Sequence, residues 1–91
     1  MHLNHLIQDL SPLAVRGEAG EQWIEGIAFD SRKVETGYVF VAIKGANFDG
    51  HDFIEAMSLQ AAVIVGELAP EDVTTQADCV YIQVSSSAAA L

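Results

Sequence analysis

Most of the residues that could do chemistry in this 91-residue sequence lie between Phe29 and His51. The segment holds three of the four basic residues of the chain, namely Arg32, Lys33 and Lys44. The net charge of the whole chain is −9, so this concentration of positive charge stands out. A serine hydroxyl, an arginine fork and amides exposed by glycine suit a phosphate or the edge of a nucleotide. The segment therefore predicts an anion- or nucleotide-binding site.

The polar residues of this segment fall into two groups, and each group follows a predicted strand. Asp-Ser-Arg at 30–32 comes after a strand predicted over 23–29, and Lys-Gly-Ala-Asn at 44–47 follows one over 38–43. Ligands of open α/β sheets bind outside the carboxyl ends of the strands. The same residues also fit ordinary turn chemistry, in which Asp30 caps a turn and pairs with Arg32. The residues alone leave both interpretations open.

Hydrophobic periodicity predicts the elements that would position these groups. An apolar stripe over residues 3–10 indicates a helix, and further strands are predicted over 62–65 and 80–84. Residues 66–78 are acidic and polar, and they predict a short helix at most. A helix over about 52–60 would begin at a capping box formed by Asp52 and Glu55. The strand over 38–43 is apolar on both faces, which is typical of an inner strand of a parallel sheet. We therefore predict an α/β fold of one domain over residues 1–91, with a small, mainly parallel sheet, flanking helices and a Rossmann-like βαβ unit.

Composition excludes several classes of protein. The charge of −9 argues against a nucleic-acid binder and against binding to an anionic membrane surface. The apolar runs are far shorter than the roughly 20 residues of a membrane helix. The sequence start has no basic residue before Arg16, so we expect no secretory signal and a cytoplasmic protein. The single cysteine, Cys79, excludes an intrachain disulfide, and we expect it to be packed and inert.

Common catalytic motifs do not occur in the sequence. It contains neither the G-x-x-x-x-G-K-[ST] phosphate loop nor the G-x-G-x-x-G dinucleotide motif. His2 and His5 have no evident third ligand, so no metal site is predicted. We therefore predict no catalytic residue in these 91 residues.

The ordered motif of residues 30–54 resembles the N-terminal domain of the Mur ligases, the ATP-dependent ligases that build the peptidoglycan stem peptide. The resemblance rests on Asp-Ser-Arg at 30–32, Gly37, Phe-Val-Ala-Ile-Lys-Gly at 40–45, Asp-Gly-His-Asp at 49–52 and Phe-Ile at 53–54, and it covers about residues 22–66. Within the family, the sequence is most similar to the ligases that add the third residue, the UDP-N-acetylmuramoyl-tripeptide synthetases. The ligase that adds D-Ala-D-Ala is close in this region and remains an alternative.

The resemblance implies a substrate-binding role. In that family the N-terminal domain holds the uridine diphosphate end of UDP-N-acetylmuramic acid (UDP-MurNAc). ATP and magnesium bind to a central domain, and the incoming amino acid binds to a C-terminal domain. Carried over by motif, the substrate contacts fall on Phe29, Ser31, Ala46, Asn47 and Phe48. Arg32 and Lys44 would contact phosphate or have a structural role.

The implied whole enzyme would add the third amino acid to UDP-MurNAc-L-Ala-D-Glu. These residues would act together with the central and C-terminal domains of the same polypeptide, and the fragment alone would not be catalytic. The start of a helix at 85–91 leads us to expect a chain that continues past Leu91. The alternative from another class is a free-standing, non-catalytic module that binds a nucleotide sugar or a protein.

Overall fold

The computed structural model describes residues 3–10, 12–17, 23–43, 50–75 and 79–85. Two α-helices and five strands lie in these ranges, together with three single turns of 3₁₀ helix. The helices are α1 (Leu3–Leu10) and α2 (Ile54–Met57), the strands are β1 (Ala14–Arg16), β2 (Gly26–Ala28), β3 (Tyr38–Val41), β4 (Val63–Gly66) and β5 (Val80–Gln83), and the 3₁₀ turns are Ser31–Lys33, Gly50–Phe53 and Pro70–Asp72.

The five described strands form one sheet in the order β1-β5-β4-β3-β2. The strands β2 to β5 are parallel to their neighbours, and β1 pairs with β5 in the antiparallel direction. Val39 lies opposite Val63, so the predicted parallel pairing of the strands at 38–43 and 62–65 is confirmed. The predicted α/β fold with a small, mainly parallel sheet is confirmed as well.

Apolar side chains are buried on both faces of the sheet. On one face, Leu3 and Leu6 of α1 pack with Val39, Val63 and Ile82. On the other face, Ile54 of α2 packs in a second cluster with large sheet residues, which include Phe40, Ile64 and Tyr81. All four residues of β4 are buried, as expected of a central strand in a parallel sheet.

The first predicted strand is shorter than expected. The strand predicted over 23–29 covers only Gly26–Ala28, and Trp23 forms an isolated β-bridge. Gly26 lies opposite Tyr38 on β3, and a Cβ at Gly26 would come within 2.8 Å of the Tyr38 ring. The lack of a side chain at Gly26 therefore permits the close approach of the Tyr38 ring. At Gly37, φ is +85°, a backbone conformation that glycine adopts readily.

The capping box predicted for the second helix is wrong. The chain first makes the 3₁₀ turn Gly50–Phe53, and α2 then covers only Ile54–Met57. The N-cap is Phe53, which makes no side-chain capping hydrogen bond. At the other end, the Ser58 hydroxyl donates to the Glu55 carbonyl oxygen over 2.7 Å, a local bond that competes with continuation of the helix.

The strand β1 was not predicted, because three residues are too few to show a hydrophobic period. The polar segment 66–78 was expected to hold a short helix at most, and its described part contains only the 3₁₀ turn Pro70–Asp72. The helix predicted to start at 85–87 falls largely outside the described residues. Among the helices that the structure describes, none is long and apolar enough to cross a bilayer.

Candidate functional site

The turn that follows β2 is built around Asp30 and Arg32. The Asp30 carboxylate caps the 3₁₀ turn by accepting the Arg32 backbone N–H over 2.9 Å. It also accepts two bonds from the Arg32 guanidinium, at 3.1 Å from Nε and 2.8 Å from Nη2. The turn chemistry that the sequence left open is therefore present in the structure.

Asp30 and Arg32 keep each other ionised, and the pair remains accessible to solvent. The hydrogen bonds from the Arg32 side chain and backbone lower the pKa of Asp30 to about 2. The Asp30 carboxylate in turn raises the pKa of Arg32. The Arg32 side chain remains 87% exposed, so an anion can still approach the guanidinium. Structural pairing and ligand binding are compatible at this residue.

An open cleft of about 740 Å³ lies beside this turn. Phe29, half exposed, offers an aromatic surface on which a base can stack. Arg32 and Lys33 provide positive charge, while a hydrogen bond with the Glu35 carboxylate raises the pKa of Tyr38 on the same cleft. The cleft therefore combines an exposed aromatic ring with two cations and two carboxylates, of which Asp30 is paired with Arg32. Its lining residues are Ile27, Ala28, Phe29, Asp30, Arg32, Lys33, Glu35 and Tyr38.

The remaining predicted site residues are only partly placed. Ser31 is the first residue of the 3₁₀ turn, directly past the carboxyl end of β2, and the structure does not describe its side chain. Four predicted residues lie outside the described ranges: Lys44, Ala46, Asn47 and Phe48. The carboxyl ends of β2 and β3 are adjacent because the two strands are parallel neighbours. The predicted groups at 30–32 and 44–47 therefore follow two strands whose carboxyl ends lie side by side.

Ile43 and Gly50, the described residues on either side of the segment 44–49, are joined by a hydrogen bond. The Gly50 N–H donates to the Ile43 carbonyl oxygen over 2.9 Å. A Cβ at Gly50 would lie 2.8 Å from the Ile43 nitrogen and 3.0 Å from its oxygen, so the closure needs glycine. The position at which this segment leaves and rejoins the sheet is therefore fixed by backbone contact.

Residues of the neighbouring β4 turn were missed as candidates by the sequence reasoning. The Glu67 backbone N–H donates to His51 Nε2 over 2.9 Å. The Tyr81 hydroxyl donates to the Leu68 carbonyl oxygen over 2.6 Å. In the sequence, His51 is part of the family motif at 49–52, and no sequence signal links it to residue 67.

A second hollow, of about 410 Å³, lies at the amino-terminal ends of the central strands. Its lining includes Trp23, Thr36 and Leu59, near the amino ends of β3 and β4. It contains no basic residue and none of the predicted site residues. The cleft beside the β2 turn is therefore the better candidate for an anionic ligand.

Metal-ligating side chains are not clustered in the part of the chain that the structure describes. Within that part, no group of three or more His, Cys, Asp or Glu side chains could hold a metal ion. The full sequence also contains no glycine-rich loop ending in Lys-Ser or Lys-Thr. Arg32 and Lys33 of the β2 cleft are side chains of the kind that bind phosphate.

Sequence comparisons connect this chain to ligases. Residues 23–91 match the model of the Mur ligase family, catalytic domain. The chain is 41% identical, over its whole length, to UDP-N-acetylmuramoyl-L-alanyl-D-glutamate--2,6-diaminopimelate ligase of Cytophaga hutchinsonii, and it spans 18% of that protein. It is 48% identical over 69 residues to UDP-N-acetylmuramoyl-L-alanyl-D-glutamate--2,6-diaminopimelate ligase 2 of Clostridium acetobutylicum, which is 74% of this chain and 14% of that protein. The chain thus spans less than a fifth of the curated relatives named here.

Structural comparisons give the same fold. A crystal structure of MurF from Acinetobacter baumannii matches with a TM-score of 0.77 and 25% identity, over 98% of this chain and 19% of that one. The MurF ligase from Thermotoga maritima, solved with ADP, matches with a TM-score of 0.53 and 40% identity, over 67% of this chain and 13% of that one. The chain therefore belongs to the Mur ligase family and has the fold of its N-terminal domain.

Proposed function

We propose that this chain holds the uridine diphosphate end of UDP-MurNAc-L-Ala-D-Glu for a ligase that adds the third amino acid of the peptidoglycan stem peptide. The relatives at 41% and 48% identity carry the name of a ligase that joins 2,6-diaminopimelate to that dipeptide substrate. Diaminopimelate is therefore the proposed incoming amino acid. The substrate contacts proposed here are Phe29, Ser31, Ala46, Asn47 and Phe48, with Arg32 and Lys44 near the phosphates.

The observation that carries the proposal is the cleft beside the β2 turn. It brings the exposed Phe29 ring and the cations Arg32 and Lys33 to one edge of the sheet, in a chain whose net charge is −9. An aromatic ring suits uracil, and cations suit a diphosphate. The second described hollow, near Trp23 and Leu59, lacks the cations.

This arrangement supplies binding energy rather than bond chemistry. Gripping the remote nucleotide restricts the motion of the substrate, so that its distant carboxylate is held where the ligation takes place. In the proposed whole enzyme, ATP with magnesium would activate that carboxylate on the central domain, and the C-terminal domain would present the amino acid. The residues of this chain bind and orient the substrate.

A second candidate function is favoured by the structural neighbours. The MurF structure from Acinetobacter baumannii shares the fold over 98% of the chain, and a third structure from that organism is of a D-alanyl-D-alanyl ligase. That step would use a UDP-MurNAc-tripeptide, so the two functions share the nucleotide end of the substrate. Comparing turnover of the dipeptide and tripeptide substrates by the whole enzyme separates them. A free-standing binding module would show neither turnover.

The test of the proposal is a titration of the chain with UDP, followed by amide resonances. We expect shifts concentrated at residues 29–33, and weaker shifts with uridine, which lacks the phosphates. The variant Arg32→Met should weaken UDP binding about tenfold, because a charge-assisted contact is lost. The matched control is Thr36→Ala, before the amino end of β3 and outside the lining of the cleft. Absence of shifts at residues 29–33 in millimolar UDP would contradict the proposal.

A further inference from the structure

The cleft beside the β2 turn has two chemically different ends. Phe29, Arg32 and Lys33 follow the carboxyl end of β2 and form the half that the proposed function assigns to uracil and the diphosphate. Glu35 and Tyr38 lie where β3 begins, and both line the same cleft. This second half presents a carboxylate and a phenol, and the proposed function leaves it without a role.

Tyr38 extends from β3 across the edge strand β2. A Cβ at Gly26 would come within 2.8 Å of Tyr38 Cζ, the ring carbon that bears the hydroxyl, and within 3.0 Å of Cε2. The hydroxyl end of the ring therefore lies over the first residue of β2, the outermost strand at this side of the described sheet. Gly26 and Phe29 are three residues apart, at most roughly 10 Å of extended chain. The two ends of the cleft are thus close enough for one nucleotide to contact both.

Glu35 is held in place twice by Tyr38. The Tyr38 backbone N–H donates to the Glu35 carbonyl oxygen over 3.0 Å and closes the turn between them. Gly37, with φ at +85°, is the third residue of this turn, the position that favours glycine in a type II turn. The Tyr38 hydroxyl donates to the Glu35 carboxylate as well. The fold therefore orients this carboxylate before any ligand binds.

The Glu35 carboxylate can accept further hydrogen bonds. The side chain is exposed, and an ionised carboxylate has about four acceptor positions, of which the Tyr38 hydroxyl takes one. A carboxylate repels a diphosphate, so it suits a part of the ligand that carries neutral donors. The ribose 2′ and 3′ hydroxyls of a nucleotide are such donors, and they lie on the side of the sugar away from the 5′ phosphate. Acidic side chains accept from ribose hydroxyls in this way in dinucleotide-binding folds.

We propose that Glu35 is a specificity-determining residue, which accepts a hydrogen bond from the ribose hydroxyls of the nucleotide while Tyr38 fixes its carboxylate. This inference rests on the proposed function, because it needs a uridine nucleotide in the β2 cleft. The cations past the carboxyl end of β2 then hold the diphosphate, and the carboxylate at the other end holds the sugar. The cleft consequently selects ribonucleotides over deoxyribonucleotides and binds the nucleotide in one orientation along β2.

The experiment compares the dissociation constants of the chain for UDP and for 2′-deoxy-UDP by calorimetric titration. The two nucleotides carry the same charge, so the ratio of their dissociation constants reports the sugar contact and not the overall electrostatics. We expect the unmodified chain to bind UDP about tenfold more tightly, because 2′-deoxy-UDP lacks a hydrogen bond to a charged acceptor. In Glu35→Met the two affinities should agree within about twofold, since no acceptor remains. Glu35→Gln keeps a neutral acceptor, and UDP should bind about threefold more tightly.

Glu25→Met is the matched control. The Glu25 backbone N–H donates to the Gly37 carbonyl oxygen over 3.0 Å, so this residue borders the same turn, but it is not among the described residues that line the cleft. Removal of either carboxylate favours both anionic nucleotides through charge, whereas only removal of Glu35 should change their ratio. We therefore expect Glu25→Met to keep the roughly tenfold preference for UDP.

Three results would overturn the inference and leave the proposed function intact. They are equal affinities of the unmodified chain for the two nucleotides, a ratio that Glu35→Met does not change, and a ratio that falls equally in Glu25→Met. If Glu35→Met does not fold, Glu35→Gln decides, and an unchanged ratio in that variant overturns the inference. If neither nucleotide binds, the proposed function fails and the inference fails with it.

Discussion

The two edges of the sheet use arginine in opposite ways. At the β1 edge, Arg16 donates to the Pro70 carbonyl oxygen over 2.5 Å and to the Thr75 hydroxyl over 2.8 Å, and its guanidinium lies 5.9 Å from the centre of the Tyr81 ring. Two of these partners are 54 and 59 residues away in sequence. At the β2 edge, Arg32 pairs with Asp30 in the same turn and stays 87% exposed.

The difference separates a structural arginine from one suited to a ligand. Arg16 satisfies carbonyl groups that belong to a distant loop, so its loss leaves those groups without their donors. The pair of Arg32 with Asp30 is local and solvent-exposed, and such pairs add little to stability. Both residues are arginines, so the residue type does not distinguish their roles. The distance in sequence to the hydrogen-bond partner does: it is long for Arg16 and short for Arg32.

The largest effect is expected from Arg16→Met. It removes charged donors from the 70–75 loop, and we expect the free energy of unfolding to fall by about 3 kcal/mol, with UDP affinity unchanged. Urea denaturation measures the first quantity and calorimetric titration the second. The matched substitution at the other edge, Arg32→Met, should hardly move the denaturation midpoint. Equal destabilisation by the two variants would remove the distinction between the edges.

A somewhat smaller effect is expected from Ser31→Ala, and it falls on substrate affinity instead of stability. Loss of a hydrogen bond to a charged ligand costs about 1.5–3 kcal/mol, which is roughly ten- to hundredfold in affinity. In the whole enzyme, the KM for the UDP-linked substrate should rise while the KM for ATP stays constant. The melting temperature should be unchanged. A lowered melting temperature with an unchanged KM would instead assign Ser31 to the turn alone.

The stability of the chain at alkaline pH is a third test, because Tyr81 lies on β5, the strand next to β1. Burial raises the pKa of Tyr81 to about 12 from its ordinary value of 10.0. Because the folded state favours the protonated phenol, this stability is fully present below pH 10 and is lost as the pH rises through about 12. We expect a loss of about 1 kcal/mol by pH 11, one pH unit above the ordinary pKa. Unfolding curves of Tyr81→Phe should lack this alkaline step.

The smallest effect is expected at the β2 edge in acid. The hydrogen bonds from Arg32 lower the pKa of Asp30 from 3.8 to about 2, so their contribution is present above pH 3.8 and is lost as the pH falls towards 2. The Asp30→Asn variant should show a slightly flatter fall in melting temperature between these pH values. A steep dependence that disappears in Asp30→Asn would show that this exposed turn is structurally important after all.

The sequence was most informative where hydrophobic patterns were long. The runs that became β3, β4 and β5 predicted the parallel core, because strands buried on both faces have few polar residues. The strand state of Ala14–Arg16 depends on pairing with β5, which no local pattern records. In the same way, His51 was visible as part of a turn, but its contact with Glu67 depends on how β4 ends.

The candidate site was likewise predictable only where its contacts are local in sequence. Asp30 and Arg32 were paired correctly from the sequence because the contact spans two residues. The role of Ser31 and of residues 46–48 came from resemblance to a family, and it remains a prediction. The cleft that joins Phe29 to the charged turn could not be predicted, because its shape depends on the position of β2 at the edge of the sheet.

The pairing of β1 with β5 has a consequence for biosynthesis. Ala14 lies opposite Gln83, so the antiparallel ladder cannot form until residues about 70 positions later have left the ribosome. Arg16 likewise has no access to Pro70 or Thr75 until that stage. During translation, β1 therefore stays without its partner strand until β5 has emerged. A chaperone, or slow translation of the codons for β5, would affect folding during the time in which β1 is unpaired.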